Sequence, residues 1–486
     1  MAIKDTVKSV HFIGIGGVGM SGIARVAHDQ GMKVSGSDLR QSRYTDQLEE
    51  AGVTVFIGHA AENIPDDVDV VVVSTAILDH NPEYQEALSR NLPIWHRAKM
   101  LAALGYGLET LAVAGTHGKT TTSSMLASVL DAMGESPTFL IGGIVRAYGT
   151  NAHSGKGRYY VVEADESDKS FTHLDPTAVI VTNIEADHLD HYEDLNEIYE
   201  QFGMFIKSVP AYGKVVVCGD DPNLVEVAKK TGHQVITYGF SDECDVVVAS
   251  YEPSGVGSVF SLRLPDGSVV KSSVKQNPGK HNVSNAAGVL TLLWALGKDV
   301  KKAASLLSEF AGVKRRFDLV EKVNGVTIVD DYAHHPTEIA ATIAAAKQLD
   351  FKKVHVLFQP HRYSRVPLFT QVLREEFSSA FDQADTLTFM DVYPAGEAPV
   401  PGVSGKTFLD VVLQHEGHPK AAYVAHRVQT ASYLAQLVNE GDLVITMGAG
   451  DVTAIGPQLA AVMKGQMPAI ADLDVKEYPA ITACEA

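Results

Sequence analysis

Runs of apolar residues alternate with amphipathic stretches along nearly the whole chain. The apolar runs are short and rich in Val and Ile, as in residues 68–74 and 110–114, which is typical of buried strands. Most of them are followed by a stretch with helical spacing. This alternation predicts parallel sheets covered by helices, and therefore an α/β fold.

Two junctions divide the pattern into three blocks. A Gly-Tyr-Gly stretch at 105–107 separates the first two, and a basic stretch at 312–317 precedes the third. We therefore expect domains at 1–107, 108–313 and 314–464, followed by a flexible tail at 465–486 that lacks periodicity. The predicted strands cover 33–37, 68–74, 93–95, 110–114, 159–163, 178–182, 214–218, 327–331, 354–358, 386–390, 422–424 and 443–447. Helices are predicted at 121–133, 282–296 and 300–310, and a hairpin insert at 245–275.

Composition narrows the functional classes. The chain has 486 residues and a formal net charge of −19, which disfavours nucleic acids and anionic membranes as partners. Its three cysteines, Cys218, Cys244 and Cys484, match neither a disulfide framework nor a zinc site. The N-terminus has no signal-peptide core, and the longest apolar run is too short to span a bilayer. These features predict a cytoplasmic protein.

A glycine-rich loop opens the first block. Gly14, Gly16, Gly17 and Gly19 follow a predicted strand and begin a helix, and Asp38 comes after the next strand. This order fits a dinucleotide-binding fingerprint, in which backbone amides approach a diphosphate and the acid binds ribose hydroxyls. A tight turn without a ligand remains the alternative, and the pattern does not say which nucleotide diphosphate binds.

A second loop, Gly-Thr-His-Gly-Lys-Thr at 115–120, lies between a strand and a helix. It resembles a P-loop, in which amides surround phosphates, Lys119 contacts the β and γ oxygens and Thr120 holds Mg²⁺. It departs from the full pattern because Val113 stands where the first glycine is expected. In the absence of phosphate we expect the lysine to be solvated. Two nucleotide sites in consecutive domains argue against a simple dehydrogenase.

Carboxylates follow two further strands of the central block. They belong to the motifs Glu-Ala-Asp-Glu-Ser-Asp at 163–168 and Asn-Ile-Glu-Ala-Asp-His at 183–188. Oxygen ligands and one imidazole beside a P-loop suit Mg²⁺ bound to ATP phosphates. We select Glu163 and His188 as ligands, and interpret about half of the remaining acids as helix caps or solvated groups.

Together these motifs resemble the Mur ligases of peptidoglycan synthesis. The resemblance also includes Gly-Lys-His-Asn-Val-Ser-Asn-Ala-Ala at 279–287, Asp-Asp-Tyr-Ala-His-His-Pro-Thr-Glu at 330–338 and His-Arg-Tyr-Ser-Arg at 361–365. It extends from about residue 9 to 460 in the family's order. It implies a Rossmann-like UDP-binding domain, a P-loop ATPase-like domain with a mainly parallel sheet, and a Rossmann-like C-terminal domain. The implied reaction is ATP-dependent, Mg²⁺-assisted addition of L-alanine to the lactyl carboxylate of UDP-N-acetylmuramate through an acyl phosphate.

The resemblance also assigns roles to residues. The UDP-sugar would contact Gly14, Gly16, Gly17, Gly19, Asp38 and Ser74. ATP would contact Gly115, Thr116, His117, Gly118, Lys119, Thr120, Thr121, Asn282, Arg316 and Asp331. Mg²⁺ would be held by Thr120, Glu163 and His188, and L-alanine by Tyr332, His361, Arg362 and Arg365. Several family members carry a carbamoylated lysine after the Asp-His motif, but residues 189–206 contain no lysine.

The catalytic candidates are Lys119 and three histidines. Anions accumulate in both steps of the implied reaction, so Lys119 is expected to act through its charge. His188, His334 and His361 are candidates for accepting the proton of the alanine ammonium, and the sequence does not choose among them. His335 is interpreted as a helix-start residue ahead of Pro336. The turn at 448–451 either helps to close the site or is a plain strand-to-helix turn.

Three other interpretations stay open. One is a ligase of the same family that attaches a recycled tripeptide to the same nucleotide sugar. Another is a nicotinamide-dependent oxidoreductase built on the first glycine loop, which the Gly-Lys-Thr loop argues against because hydride transfer needs no triphosphate site. The third is a non-catalytic nucleotide-binding scaffold. The sequence leaves open whether the chain is a monomer or a homodimer, and whether it also accepts Ser or Gly.

Overall fold

A computed structural model describes residue 3 and residues 6–167, 170–187, 192 and 194–481. Within these residues the strands form three sheets. The chain divides into two compact units, one made of residues 1–250, 261–272 and 284–311 and the other of 251–260, 273–283 and 312–486. No helix in the described part is long and apolar enough to cross a membrane.

The first sheet has five parallel strands and uses residues from the first predicted domain. Its order is β3-β2-β1-β4-β5. Strands β2 and β3 are therefore added on one side of β1, and β4 and β5 on the other, so the strand order reverses at β1. The glycine loop follows β1 at this reversal, which is where open α/β sheets bind ligands. The elements are β1 Ser9–Ile13, α1 Val18–Asp29, β2 Lys33–Asp38, α2 Arg43–Glu50, β3 Thr54–Ile57, β4 Val70–Val73, α3 Pro82–Ser89, β5 Ile94–His96 and α4 Arg97–Ala103.

The second sheet has ten strands. Its order is β15-β14-β13-β12-β11-β10-β6-β9-β7-β8, with β6 in the interior and parallel to both of its neighbours. Its elements are β6 Glu109–Ala114, α5 Lys119–Ala132, β7 Thr138–Val145, β8 Thr150–His153, β9 Tyr159–Glu163, β10 Ala178–Val181, α6 Leu195–Lys207, β11 Lys214–Cys218, α7 Pro222–Lys230, β12 Val235–Gly239, β13 Val246–Ser254, β14 Gly257–Arg263, β15 Val269–Val274, α8 Lys280–Ala295 and α9 Val300–Leu307.

The third sheet has seven strands in the order β16-β17-β21-β18-β19-β20-β22. Its centre is parallel, and its edges β16 and β22 are antiparallel to their neighbours. Its elements are β16 Asp318–Val323, β17 Val326–Asp331, α10 Pro336–Lys347, β18 Val354–Phe358, α11 Arg374–Ser379, β19 Thr386–Met390, α12 Gly405–Val412, β20 Lys420–Val424, α13 Arg427–Leu437, β21 Leu443–Met447, α14 Ile455–Met463 and β22 Lys476–Tyr478.

The α/β prediction is confirmed, and the differences have local causes. Strand β7 was not predicted, because Gly142 and Gly143 interrupt its apolar run, and β16 was not predicted, because charged residues interrupt it. The expectation of a loose tail from residue 465 is wrong at β22, which pairs with the edge strand β20. Tyr433 also donates a hydrogen bond to Glu477 at 2.8 Å. A three-residue strand is too short to show periodicity, so only the open edge of the sheet specifies it.

Candidate active site

The N-terminal glycine loop is held in place by the next strand. The amide of Gly16 donates to the Asp38 carboxylate at 2.9 Å, and the amides of Gly14 and Ile15 donate to the Ser37 carbonyl. A Cβ atom on Gly16 would lie 2.9 Å from the same Asp38 oxygen, so a side chain there would disturb this contact. Asp38 therefore fixes the loop, a role that the sequence pattern did not suggest.

The other predicted UDP-sugar residues lie around this loop. Gly14 has a φ of +80°, which favours glycine, and Gly17 is the N-cap of α1. Gly19 lies in the first turn of α1. Ser74 follows β4, the neighbour of β1, and its carbonyl accepts the amide of Ile77. These residues thus share the carboxyl edge of the sheet.

A buried carboxylate that sequence reasoning missed lies beneath this loop. Glu83 is fully buried and accepts hydrogen bonds from Ser37 Oγ at 2.5 Å, Asn63 Nδ2 at 2.7 Å and the amide of Ala60 at 3.1 Å. Its Oε2 atom also lies 3.1 Å from Nε2 of the buried His11. Burial raises the pKa of Glu83, but these hydrogen bonds outweigh it and the net shift is downward. The charged carboxylate therefore fixes Ser37, whose carbonyl holds the loop.

The P-loop turns tightly between β6 and α5. Gly115 and Gly118 have φ values of +136° and +84°, and a Cβ on Gly115 would lie 2.0 Å from Thr182 Oγ1. Asn183 closes the loop, because its side-chain oxygen accepts the His117 amide at 2.8 Å and its nitrogen donates to the His117 carbonyl at 3.1 Å. The loop is thus preformed.

Lys119 is not solvated, contrary to the expectation from the sequence. Its ammonium donates to Glu166 Oε1 at 2.8 Å and to the carbonyls of Gly115 and Thr116 at 2.6 and 3.1 Å. Burial opposes the charge of Lys119, but Glu166 and Asp165 outweigh it and raise its pKa. Burial raises the pKa of Glu166 to about 7. Sequence spacing gave no sign of this pair, since the partners lie on different elements.

Two of the predicted Mg²⁺ ligands lie together at the start of α5. Thr120 Oγ1 donates to Glu163 Oε1 at 3.0 Å, and the other carboxylate oxygen accepts the amide of Gly142 at 2.7 Å. A hydroxyl and a carboxylate in contact are hard oxygen donors that fit Mg²⁺. The third predicted ligand, His188, lies outside the described residues. Thr116 accepts the amide of Glu185 at 2.8 Å, and Thr121 is buried in α5.

The second unit carries the predicted nucleotide residues Arg316 and Asp331. Asp331 accepts the amides of Phe317 and Ala333 at 2.7 and 2.8 Å, and burial raises its pKa to about 6. The Arg316 guanidinium lies 5.1 Å from the centre of the Tyr332 ring. These residues meet at the carboxyl end of β17.

Asn282 lies in the first turn of α8. Its Nδ2 atom donates to the Pro278 carbonyl at 2.8 Å and lies 2.9 Å from His281 Nε2. Burial lowers the pKa of His281 to about 4, so its imidazole is neutral at pH 7 and can accept this hydrogen bond.

Tyr332 and His361, two of the residues predicted to bind L-alanine, belong to a row of aromatic rings. Tyr332 and His334 have ring centres 5.5 Å apart, His334 and His361 lie 6.4 Å apart, and His361 stacks on Tyr393 at 5.6 Å. The His334 Nδ1 atom also lies 3.3 Å from the Glu338 carboxylate. These side chains follow β17, β18 and β19, so strands distant in sequence bring them together.

The arginines of the His-Arg-Tyr-Ser-Arg segment lie beside this row. Arg362 adopts φ +66°, an unusual conformation for a side-chain-bearing residue, and its amide donates to the Tyr393 carbonyl at 2.8 Å. Burial, together with Arg365 and Arg362, lowers the pKa of His361 to about 4. Glu397 accepts hydrogen bonds from the amide and hydroxyl of Ser364 at 3.0 and 2.6 Å.

The prediction that His335 lies at the start of a helix is confirmed: it is the N-cap of α10, and Pro336 lies in the first turn of that helix. Three further residues of this site, Arg315, Tyr393 and Glu397, were not predicted from the sequence, because they make contacts with residues distant in the chain. The signal that was present for Arg315 is its place in the basic stretch at the start of the third block.

Comparison with known proteins agrees with this architecture. Three family models match in order: the Mur ligase family catalytic domain at 9–106, the Mur ligase middle domain at 113–293 and the Mur ligase glutamate ligase domain at 315–450. The chain belongs to the Mur ligase family.

Individual relatives narrow the similarity. The chain is 44% identical over 461 residues to the UDP-N-acetylmuramate–L-alanine ligase of Geotalea uraniireducens, covering 95% of this chain and 99% of the relative. The crystal structure of UDP-N-acetylmuramate-alanine ligase from Thermotoga maritima matches with a TM-score of 0.78 and 29% identity, covering 94% of this chain and all of that one. A murein peptide ligase from Psychrobacter arcticus matches with a TM-score of 0.69 and 25% identity, covering 95% and 100%.

Proposed function

We propose that this chain is an ATP-dependent ligase that joins L-alanine to the lactyl carboxylate of UDP-N-acetylmuramate, the first amino-acid step of peptidoglycan stem-peptide synthesis. The observation that carries the proposal is the nearly full-length similarity to the Geotalea uraniireducens ligase at 44% identity. The preformed P-loop with Lys119, and the ring-and-arginine site after β17 and β18, supply the chemistry that such a ligase needs.

The domain bounds follow from the same elements. We infer a UDP-sugar domain at 1–107, an ATP-binding domain at 108–313 and an amino-acid domain at 314–464, followed by the extension at 465–486. The three sheets and the three family-model spans support this division. The oligomeric state, monomer or homodimer, remains a prediction. The cytoplasmic location and the absence of nucleic-acid or membrane partners remain predictions as well.

The nucleotide roles are assigned by position. The UDP-sugar would contact the loop at 14–19, which leads from the end of β1 into the first turn of α1, together with Asp38 and Ser74. ATP would lie on the loop at 115–121, with Asn282, Arg316 and Asp331 as further contacts. Thr120, Glu163 and His188 would hold Mg²⁺, which when bound neutralises phosphate charge.

The proposed reaction has two steps. The lactyl carboxylate attacks the γ-phosphorus of ATP, which breaks the bond to ADP and gives an acyl phosphate. The alanine amine then attacks the acyl carbon, and phosphate leaves the tetrahedral intermediate. Lys119 stabilises negative charge in the first step, for which it must exchange Glu166 for a phosphate oxygen.

The amine must lose a proton before or during attack. Because its pKa is about 4, His361 is a weak acceptor at pH 7, and its neutral ring is better suited to hold the substrate. His334 is the better candidate among the described histidines, since Glu338 lies 3.3 Å from its Nδ1 and would pair with the imidazolium that forms. Tyr332, Arg362 and Arg365 would hold the alanine carboxylate, with arginine giving a two-point contact.

The test is ADP release by the purified chain with ATP, Mg²⁺, UDP-N-acetylmuramate and L-alanine, and then with each substrate omitted. We expect rapid release only with the complete set, and a product one alanyl group heavier by mass spectrometry. Faster turnover with the tripeptide L-Ala-D-Glu-diaminopimelate than with L-alanine would favour the tripeptide ligase. Tight NADH binding without ADP release would favour an oxidoreductase instead.

A further inference from the structure

Arg315 lies at the start of the third sheet's domain and makes an unusual set of contacts. Its Nε donates to Asp330 at 3.1 Å, and its terminal nitrogens donate to the carbonyls of Gly448, Ala449 and Gly450 at 2.6, 3.4 and 3.0 Å. Three successive carbonyls of the turn after β21 thus converge on one guanidinium. Lysine cannot reproduce this fork of donors.

The backbone of Arg315 is fixed as well. It adopts φ +63°, and its carbonyl accepts the amide of Tyr332 at 2.8 Å while its own amide donates to Asp318 at 3.2 Å. A non-glycine residue keeps such a conformation only where its surroundings determine it. The residue therefore ties the start of the domain to the end of β17.

Asp330 makes this arrangement rigid. The carboxylate is buried, and it accepts hydrogen bonds from Thr446 Oγ1 and Thr453 Oγ1, both at 2.7 Å, in addition to Arg315. Thr446 lies on β21 and Thr453 lies just beyond the turn. The same carboxylate therefore holds both sides of the turn and the arginine that binds it.

The turn at 448–450 lies against residues around the predicted L-alanine site. A Cβ on Gly450 would lie 2.6 Å from Cβ of Tyr393, and the Tyr393 ring stacks on His361 with an interplanar angle of 14°. On the other side, the Arg315 guanidinium lies 4.9 Å from the centre of the Tyr332 ring. Arg315 thus contacts the elements that position both Tyr332 and His361.

We propose that Arg315 is a positioning residue for the amino-acid substrate: it binds the turn at 448–450 and packs on Tyr332, and so sets the width of the site between Tyr332 and His361. The inference rests on the proposed function, because it assigns a role in the second step of that reaction. The Arg315 side chain already donates four hydrogen bonds to the protein. Because of these bonds, Arg315 shapes the site, and neighbouring residues bind the substrate.

The experiment separates the two chemical steps. Hydroxylamine is a small nucleophile without a carboxylate, so it traps the acyl phosphate without needing a shaped amino-acid site. We would measure ADP release from ATP and UDP-N-acetylmuramate with L-alanine and, separately, with hydroxylamine for the wild type, Arg315→Lys and a control. The control is Arg427→Lys, whose Nε pairs with Asp451 at 3.0 Å next to the same turn but outside the site proposed here.

We expect Arg315→Lys to lower kcat/KM for L-alanine at least ~10-fold, with the hydroxylamine rate and the KM for ATP and UDP-N-acetylmuramate within about twofold. Arg427→Lys should match the wild type. Thr453→Val removes one hydrogen bond to Asp330 and should give a smaller loss of the same kind, which provides a second variant if Arg315→Lys folds poorly.

Two results would overturn the inference. One is an unchanged kcat/KM for L-alanine in a folded Arg315→Lys protein. The other is an equal loss with alanine and hydroxylamine, which would indicate a general structural role. If the wild type shows no alanine-dependent turnover, the proposed function fails before any variant is made, and this inference fails with it.

Discussion

Replacing Lys119 by alanine should destabilise the fold as well as abolish turnover. The Lys119 ammonium and the Glu166 carboxylate lie 2.8 Å apart, and their side chains are only 12% and 3% exposed. Removing one partner of a buried ion pair costs about 3–5 kcal/mol, because the other charge stays buried. We therefore expect Lys119→Ala to lower the free energy of unfolding by about 3 kcal/mol at pH 8.

The loss should depend on pH in a defined direction. The folded-state pKa of Glu166, about 7, lies above its ordinary value of 4.5, so between these pH values the folded protein holds a proton that the unfolded chain has released. The contribution of Glu166 to stability therefore falls as pH rises through this window. Without Lys119 this pKa rises further. The deficit of Lys119→Ala should thus be largest near pH 8 and small below pH 5, where Glu166 is neutral.

Urea and thermal unfolding at pH 5 and pH 8 check both parts. The set is wild type, Lys119→Ala, Glu166→Gln and the double variant, with Lys230→Ala as control because Lys230 pairs with Glu226 on the exposed surface of α7. The double variant should recover most of the stability at pH 8 while turnover remains lost. Unchanged stability of Lys119→Ala at pH 8, or no recovery in the double variant, would refute the reasoning.

Three further predictions concern the other parts of the site. Gly16→Val should raise the KM for UDP-N-acetylmuramate far more than that for ATP, because its side chain would displace Asp38 from the loop amide; equal effects on both substrates would indicate general damage. Arg365→Lys should raise the KM for L-alanine at least ~10-fold and leave that for ATP nearly unchanged, since lysine gives no two-point carboxylate contact, and an unchanged alanine KM would contradict the assignment. Glu83→Gln should lower the melting temperature most above pH 5, because a lowered pKa stabilises the fold above the ordinary value of 4.5 and that stability is lost as pH falls through the folded-state pKa. A melting temperature equal to that of the wild type at pH 7 would mean that the charge of Glu83 does not support the fold.

The positions of the chemical groups along the strands could be predicted from the sequence. Short apolar runs ending in glycine, such as those before Gly14 and Gly115, mark both the strand and the edge at which its ligand-binding loop emerges. Because parallel strands place their carboxyl ends at one edge, Tyr332 and His361 could be expected to lie near each other, since they follow the ends of β17 and β18. The structure confirms this proximity through the ring row that His334 completes.

The electrostatic partners could not be predicted in this way. Glu166 lies 47 residues after Lys119, and Glu83 lies 72 residues after His11. No periodicity connects such positions, because the two partners of each pair lie far apart in the chain and meet only in the folded protein. The expectation of a solvated Lys119 was wrong for this reason: a loop lysine has no local signal that a buried carboxylate will meet it.

Arg315 and the arginines of the His361–Arg365 segment are placed differently, and this difference explains why the two arginine tests should differ. Arg315 uses its guanidinium on Asp330 and on three carbonyls, so a substrate carboxylate would have to break bonds already made within the protein. Arg362 is exposed, and its backbone, not its side chain, is fixed to Tyr393. We therefore expect the His361–Arg365 segment, and not Arg315, to contact the substrate. A change at Arg365 should act on binding of alanine, whereas a change at Arg315 should act on the shape of the site in which the amine attacks.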